Sequence, residues 1–309
     1  MNLSKPEVLL IAAVSMASTC LAQPKEPCFA FLLKGDVTAI CEGKTTQITH
    51  RGDIENFAVS DASSALAYIT SRITKNDGIS AVAEYTATVV NLEAEDTKRV
   101  EDVEGVVSTC GGILPNHVGP RTSTRDLVTG EDLKMGPYVR FRCSADRRVV
   151  AGVTSDGAKK SDRSDLYEGV PPSTRIAAAE DVYIHYFNVS PDGSKVAWFN
   201  DERPLCVLSA PGQVQCVNHS ATSDPVSINN SGEVLAATGT RQGCFYKTPY
   251  NFSPPRRGER ANDECSGIGY WKAGLKSIVI IQSIGRNPQW ISPQSAKLLN
   301  DWSRKAGNR

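Results

Sequence analysis

Histidine, cysteine and arginine are the residues here best able to do chemistry. Four histidines occur, His50, His117, His185 and His219, far apart in the chain. His50, with Asp53 and Glu55 close by, and His185 would suit a metal or acid/base site if the fold gathered their loops. Solvated loop histidines are the plainer reading. None of the spacings that mark a catalytic centre is present: no G-x-S-x-G elbow, no H-E-x-x-H, no Walker loop, no G-x-G-x-x-G and no Asp-rich calcium loop. The sequence therefore predicts no catalytic residues, no metal and no cofactor.

Contact residues are easier to nominate. The stretch from Lys247 to Asp263 sets Arg256, Arg257 and Arg260 beside Tyr250 and Phe252. Arginine with aromatics is the usual make-up of an interface hot spot, and loops on a rigid frame commonly carry binding. Tyr183, His185 and Tyr186 sit together just before a strand, and Tyr138 before another, so each is expected on an exposed rim. Trp198, Trp271, Trp290 and Trp302 occupy alternating strand positions and read as packing between sheets. The N-x-Ser sequons at Asn188, Asn218, Asn229 and Asn251 read as chance, Asn188 lying inside an expected buried strand.

The cysteines constrain the frame. There are nine, and setting aside Cys20 leaves eight. Cys28 and Cys41 lie at the outer ends of one strand–turn–strand unit, and Cys206 and Cys216 at the ends of another. That placement puts two Cβ atoms opposite each other, as a disulfide needs. Cys244 and Cys265 bracket the polar, Pro-rich insertion, and Cys110 and Cys143 pair by elimination. Reduced thiols in a cytosolic protein are the competing reading, but no C-x-x-C suggests zinc or redox work.

The first 22 residues read as an export signal. Lys5 supplies a charge, an apolar run from Val8 to Ala17 follows, and small residues lead to Leu21–Ala22. The run is shorter than the ~20 residues a membrane helix needs. Cleavage is expected after Ala22. Cys20 offers a lipid-anchor alternative, but Ala17-Ser18-Thr19 matches a lipobox poorly. The chain of 309 residues has 34 basic and 34 acidic side chains, with 40% hydrophobic and 22% charged residues. It is globular in composition, with no basic excess of the kind a nucleic-acid binder shows.

One short unit recurs. Phe187-Asn-Val-Ser-Pro-Asp-Gly-Ser-Lys-Val-Ala-Trp-Phe199 predicts a strand, a tight turn at Pro191-Asp192-Gly193 and a returning strand. The layout repeats at Phe57–Tyr68, Phe141–Ala151, Val226–Ala236 and Trp290–Leu299. Anchored on residues 60, 144, 190, 229 and 292, the spacings are 84, 46, 39 and 63. A four-stranded propeller blade takes ~40–45 residues. The first spacing holds two blades, with a degenerate copy near Val106–Gly111. The last holds one blade plus the insertion. The total is six.

This repeat resembles the SPDG repeat of TolB-type β-propellers, relatives of the WD40 class, over roughly Cys28 to Trp302. The resemblance implies an all-β, six-bladed β-propeller that acts as a docking platform in the cell envelope. The α/β domain that precedes the propeller of TolB has no room here, and the extra disulfides depart from that family. Counting strands at the ends predicts closure by two N-terminal strands, Phe29–Lys34 and Thr38–Glu42, against two C-terminal ones, Asn287–Ile291 and Ala296–Trp302, with Cys28–Cys41 riveting the closing pair. Residues 23–309 are expected to form a single domain with an insertion loop at 244–265.

The expected function is an exported, non-catalytic binding or scaffold propeller for a protein or peptide partner in the cell envelope. Periplasmic or secreted localisation and a monomer are expected, with no nucleic acid and no transmembrane segment. Two other readings stand beside it. One is a hydrolase or lyase with an acid/base or metal site on the propeller axis, and the other is a purely structural envelope repeat protein.

Overall fold

A computed structural model of the chain describes residues 28–76, 81–103, 107–115, 123–134, 138–154, 166–168, 174–177, 186–199, 204–210, 212–218, 226–238 and 266–307. The strands in chain order are β1 (Cys28–Leu33), β2 (Asp36–Cys41), β3 (Lys44–Gln47), β4 (Ile54–Ser60), β5 (Ala65–Asn76), β6 (Ala81–Asn91), β7 (Asp96–Glu101), β8 (Val107–Thr109), β9 (Ile113–Pro115), β10 (Ser123–Arg125), β11 (Asp132–Lys134) and β12 (Tyr138–Cys143). They continue with β13 (Val150–Thr154), β14 (Leu166–Glu168), β15 (Thr174–Ala177), β16 (Tyr186–Val189), β17 (Val196–Phe199), β18 (Leu205–Ala210), β19 (Gln213–Val217), β20 (Ser227–Ile228), β21 (Val234–Thr238), β22 (Gly267–Trp271), β23 (Val279–Gln282) and β24 (Arg286–Ile291). One helix, α1 (Pro293–Ala306), ends the described chain.

Among the described residues the strands form five four-stranded antiparallel sheets and two two-stranded ones. Four of the larger sheets are consecutive meanders, β4 to β7, β12 to β15, β16 to β19 and β20 to β23. In β4–β7, β16–β19 and β20–β23 the sheet runs from a largely buried first strand to a solvated last one. In β4 only Glu55 escapes near-complete burial, whereas β7, Asp-Thr-Lys-Arg-Val-Glu, is exposed almost throughout. Charge on a fourth strand protects an open sheet edge from pairing with other chains. β4, β8, β12, β16, β20 and β24 contact one another in that order, and β24 returns to β4. Sheets set around a centre by their first strands are the arrangement of a β-propeller.

The recurrent turn has one geometry. The Ser190 hydroxyl donates to Asp192 at 2.7 Å and accepts from the Lys195 amide at 3.0 Å, while Gly193 N–H closes on Ser190 O with φ 77°. Ser144 does the same with Asp146 and Val149, and Asn229 accepts from Ser231 and Glu233. Arg147 stands where Gly193 and Gly232 stand in the other turns, at φ 64°. Adjacent turns are also tied, through Ala145 N–H to Pro191 O at 2.7 Å and Asp192 N–H to Asn230 Oδ1 at 2.9 Å. The degenerate copy near Val106–Gly111 is β8 and its turn. Among the described residues its neighbourhood holds the short sheets β8–β9 and β10–β11, bridged by Leu127 N–H to Ile113 O at 2.7 Å.

The closing sheet differs from the expected two-plus-two pairing. Its order is β24-β1-β2-β3, one C-terminal strand against three N-terminal ones. β3, Lys-Thr-Thr-Gln, is polar and exposed, so it carries no apolar alternation to betray it. The segment Ala296–Trp302 is helix rather than strand. Ser292 caps it by accepting from Ser295 N–H at 3.1 Å, and Pro293 occupies the first turn, where its missing N–H does no harm. Ala296, Leu299 and Ser303 fall on one buried face, and Trp302 packs against the same core.

Three of the four expected disulfides are present, Cys28–Cys41, Cys206–Cys216 and Cys110–Cys143, while Cys244 and Cys265 lie outside the described residues. Cys206 faces Cys216 directly across β18–β19, and Cys28–Cys41 links β1 to β2. Cys110–Cys143 differs, joining the turn after β8 to the end of β12 in the next sheet. Three disulfides indicate an oxidising compartment. Replacing Cys206 and Cys216 together by serine should cost about 2–3 kcal/mol, because the bond closes a loop with a sequence separation of only 10. Chemical denaturation of the double variant checks this. An unchanged midpoint would show that the hairpin holds itself.

Candidate functional site

Strands buried on both faces leave their polar side chains two choices: bond a neighbouring strand or face a cavity. The first strands do both. Two residues before the anchors at 60, 144, 190 and 229 lie Ala58, Arg142, Asn188 and Ser227, on β4, β12, β16 and β20, and on β8 Ser108 stands two before Cys110, which opens the turn there. All five line one central cavity of about 100 Å³. On β24 the chain leaves into a helix instead of a tight turn, and Gln289, three before Ser292, takes that place. A water needs roughly 10–15 Å³ of such volume, so the cavity has room for several waters or one small chemical group. It opens at the mouth made by the tight turns, where Asp61, Gly111, Ala145 and Pro191 form its rim.

Three of these six residues are tied to the neighbouring first strand. The Gln289 amide accepts from Val59 N–H at 2.8 Å and donates to Val59 O. Asn188 Nδ2 donates to Val226 O at 3.0 Å, and Ser227 Oγ accepts from Trp290 N–H at 2.9 Å. Two positions further back on β4, Asn56 accepts from Val107 N–H at 2.9 Å. These bonds fix the wall and its spacing.

Arg142 supplies the ring's charge. Its guanidinium lies over the Phe187 ring, 5.8 Å from the centroid, and Nη1 donates to Phe141 O at 2.8 Å. Burial in the channel, helped by the like charge of Arg140 two residues away, pushes its pKa down to about 10. The acid lining the cavity is Asp61, out at the mouth, where it accepts from Ser292 N–H at 3.1 Å and Ser292 Oγ at 3.0 Å.

The residues nominated from sequence fall elsewhere. His50 is exposed in the loop before β4, and that loop is pinned by Asp36, which accepts from Thr49 Oγ1, Arg51 N–H and Gly52 N–H. Asp53 pairs with Arg51 and Glu55 accepts from Ser71, so both proposed partners of His50 are engaged. Tyr186 opens β16 half-buried, stacked on Phe199 at 5.1 Å. Neither His50 nor Tyr186 lines the cavity. Tyr138 is buried within β12 over Gly152 instead of standing on a rim. Tyr183, His185, Tyr250, Phe252, Arg256, Arg257 and Arg260 lie outside the described residues. Among the described residues no three His, Cys, Asp or Glu side chains converge as metal ligands would, and no helix is long and apolar enough to cross a membrane.

Sequence reading missed Arg142, Ser108 and Gln289, and took Asn188 only as a buried sequon. The signal was available for two of them: aligning the repeats on their turn anchors puts Ala58, Arg142, Asn188 and Ser227 in one column.

No protein-family model matches the chain, and no curated protein sequence matches it. Among solved structures the chain is similar to acylaminoacyl peptidase of Pyrococcus horikoshii, at 9% identity and a TM-score of 0.49, over 82% of this chain and 42% of that one. It is similar to a chain of a mitotic checkpoint complex at 12% identity and a TM-score of 0.43, over 90% of this chain and 72% of that one. A third similarity is to hydrazine synthase of Kuenenia stuttgartiensis, at 13% identity and a TM-score of 0.38, over 66% of this chain and 70% of that one. The chain spans less than half the length of the peptidase chains it matches.

Proposed function

We propose that this chain is an exported, non-catalytic binding propeller of the TolB-like kind, which takes a protein or peptide partner at its central cavity. Counting β8–β9 and β10–β11 as one unit gives it six blades, and the circuit of contacts from β4 round to β24 supports that count. Residues 1–22 act as its export signal, residues 23–309 form one domain, and it works as a monomer in the periplasm or outside the cell. The disulfides support an oxidising location of that kind.

One observation carries the reading: a cavity walled from six different strands and open at a mouth of tied turns. A preformed concave site with a few fixed polar groups is what ligand recognition requires. The insertion, with Tyr250, Phe252, Arg256, Arg257 and Arg260, would extend contact beyond the cavity. Tyr183, His185, Tyr186 and His50, set before or at the start of first strands, would serve the opposite mouth.

The test is a pull-down from envelope extract under non-reducing conditions. The natural protein should retain a partner. Ser108→Tyr, which fills the cavity, should lose at least roughly tenfold of it, and Tyr250→Ala with Arg256→Ala and Arg257→Ala should weaken it without changing the melting temperature. Capture of nothing by the natural protein, or equal capture by Ser108→Tyr, defeats the proposal.

A further inference from the structure

We propose that β23, the outer strand of the sheet β20–β23, takes on an extended segment of a partner protein as a fifth, antiparallel strand, and that this segment is apolar with carboxylates at its C-terminal end. The site is separate from the central cavity and does not depend on it. Of the five large hydrophobic side chains exposed among the described residues, three are consecutive on this strand: Val279 at 47%, Ile280 at 64% and Ile281 at 42%. Single exposed apolar residues are ordinary, but a contiguous patch marks a contact surface. Three other outer strands are largely polar: β3 is Lys-Thr-Thr-Gln, β7 is Asp-Thr-Lys-Arg-Val-Glu and β19 is Gln-Val-Gln-Cys-Val. β23, Val-Ile-Ile-Gln, carries neither the charge nor the proline that guards a sheet edge.

The length of the strand and the charge beside it choose the occupant. β23 has four residues, so at ~3.3 Å per residue its edge is ~13 Å long. Its register with β22 shifts at Ile281, which interrupts the ladder. So short an edge falls well below the roughly 1,200 Å² of buried surface that holds two copies of a chain together. It suits a short extended segment, whose main-chain bonds give affinity while its side chains meet the aliphatic ones. Between Ser266 and Asn300 the chain has four basic residues, Lys272, Lys276, Arg286 and Lys297, and no acidic one, although its net charge is zero. Lys272 and Lys276 are exposed in the turn that leads into β23. The C-terminal end of an antiparallel partner strand falls beside that turn, so carboxylates there meet both lysines.

The experiment uses the full chain and two labelled, amidated peptides: Thr-Val-Thr-Val-Thr-Val-Ser-Glu-Glu, and the same sequence ending Lys-Lys. By fluorescence anisotropy the acidic peptide should bind about threefold more tightly or better. Amide hydrogen exchange should slow in β23 and not in the first strands. Ile280→Lys, at an exposed site, should keep the melting temperature within ~2 °C and lose at least roughly tenfold in affinity. Lys272→Glu with Lys276→Glu should reverse the preference between the peptides. No binding of either peptide at millimolar concentration, equal binding by Ile280→Lys, or an unreversed preference overturns the proposal. Loss of peptide binding in Ser108→Tyr puts the peptide in the central cavity, which rejects the edge site and keeps the reading above. A dimer of the natural protein that Ile280→Lys abolishes makes a second copy the occupant. Retention on phosphatidylcholine–phosphatidylglycerol vesicles that Ile280→Lys abolishes, without peptide binding, makes the occupant a membrane. Either result overturns the partner strand.

Discussion

Replacing Asp126 by alanine is expected to cost about 3–5 kcal/mol of stability. Asp126 is buried between the two short sheets, where its carboxylate accepts from Val128 N–H at 2.8 Å and Ile113 N–H at 3.4 Å and pairs with Arg147. Arg147 reaches there from the turn of the next sheet, donating also to Glu131 at 3.0 Å and to Cys110 O at 2.9 Å. Alanine would leave that cation half-buried, and the backbone donors would lose their acceptor. At roughly 2–4 °C per kcal/mol, the melting temperature should fall by roughly 6–20 °C. Arg147→Gly makes the sharper comparison. Glycine suits φ 64° better than arginine does, by on the order of 1 kcal/mol, so a worthless ion pair would make this variant more stable. We expect it to be less stable, because it strands a buried carboxylate. A stabilised Arg147→Gly would refute the clasp.

The same clasp explains why this part of the fold was hard to read. Where the strand–turn–strand unit occurs, residue types alone predict a strand pair, and the units around Ser190 and Ser144 fold as such pairs. Between β8 and β11 the strands have three residues each, too short for alternation to appear. Their order comes from Asp126, Arg147 and the Cys110–Cys143 bond, all contacts between residues distant in sequence. Elimination found the disulfide; nothing local marked the ion pair except an arginine in a glycine's place. β3 escaped for the opposite reason, being polar on both faces at a sheet edge. The end of the chain was ambiguous because Ala296, Leu298, Leu299 and Trp302 fit either period, and Ser292-Pro293, a helix start, was read as one more turn of the repeat. The cavity was the least legible part. Its residues sit within strands, and side chains there signal packing until the repeats are superposed.

That helix also bears on how the two ends of the described chain are held together. Among the described residues no disulfide joins β24 to β1: Cys28–Cys41 links β1 to β2, both N-terminal, and the β24–β1 seam is made by backbone pairing. α1 lies across it. Leu299 is fully buried in a cluster with Cys28, Ala30, Leu32, Phe57 and Leu92, which brings together both chain ends and the first meander. Ser303 Oγ donates to Gln47 O at 3.1 Å, and Lys305 pairs with Glu95. Leu299→Ala should therefore cost about 2–5 kcal/mol, the range for a buried leucine whose cavity cannot collapse. The loss should be local before it is global. Amide hydrogen exchange should speed up in β24, β1 and α1 while β16 to β19 keep their protection, because opening the seam leaves those interior sheets paired. Serine at Cys28 and Cys41 together should loosen β1–β2 without that pattern at β24. Uniform acceleration across all sheets in Leu299→Ala would mean that the helix is an ordinary part of the core and that the strand seam alone closes the ring.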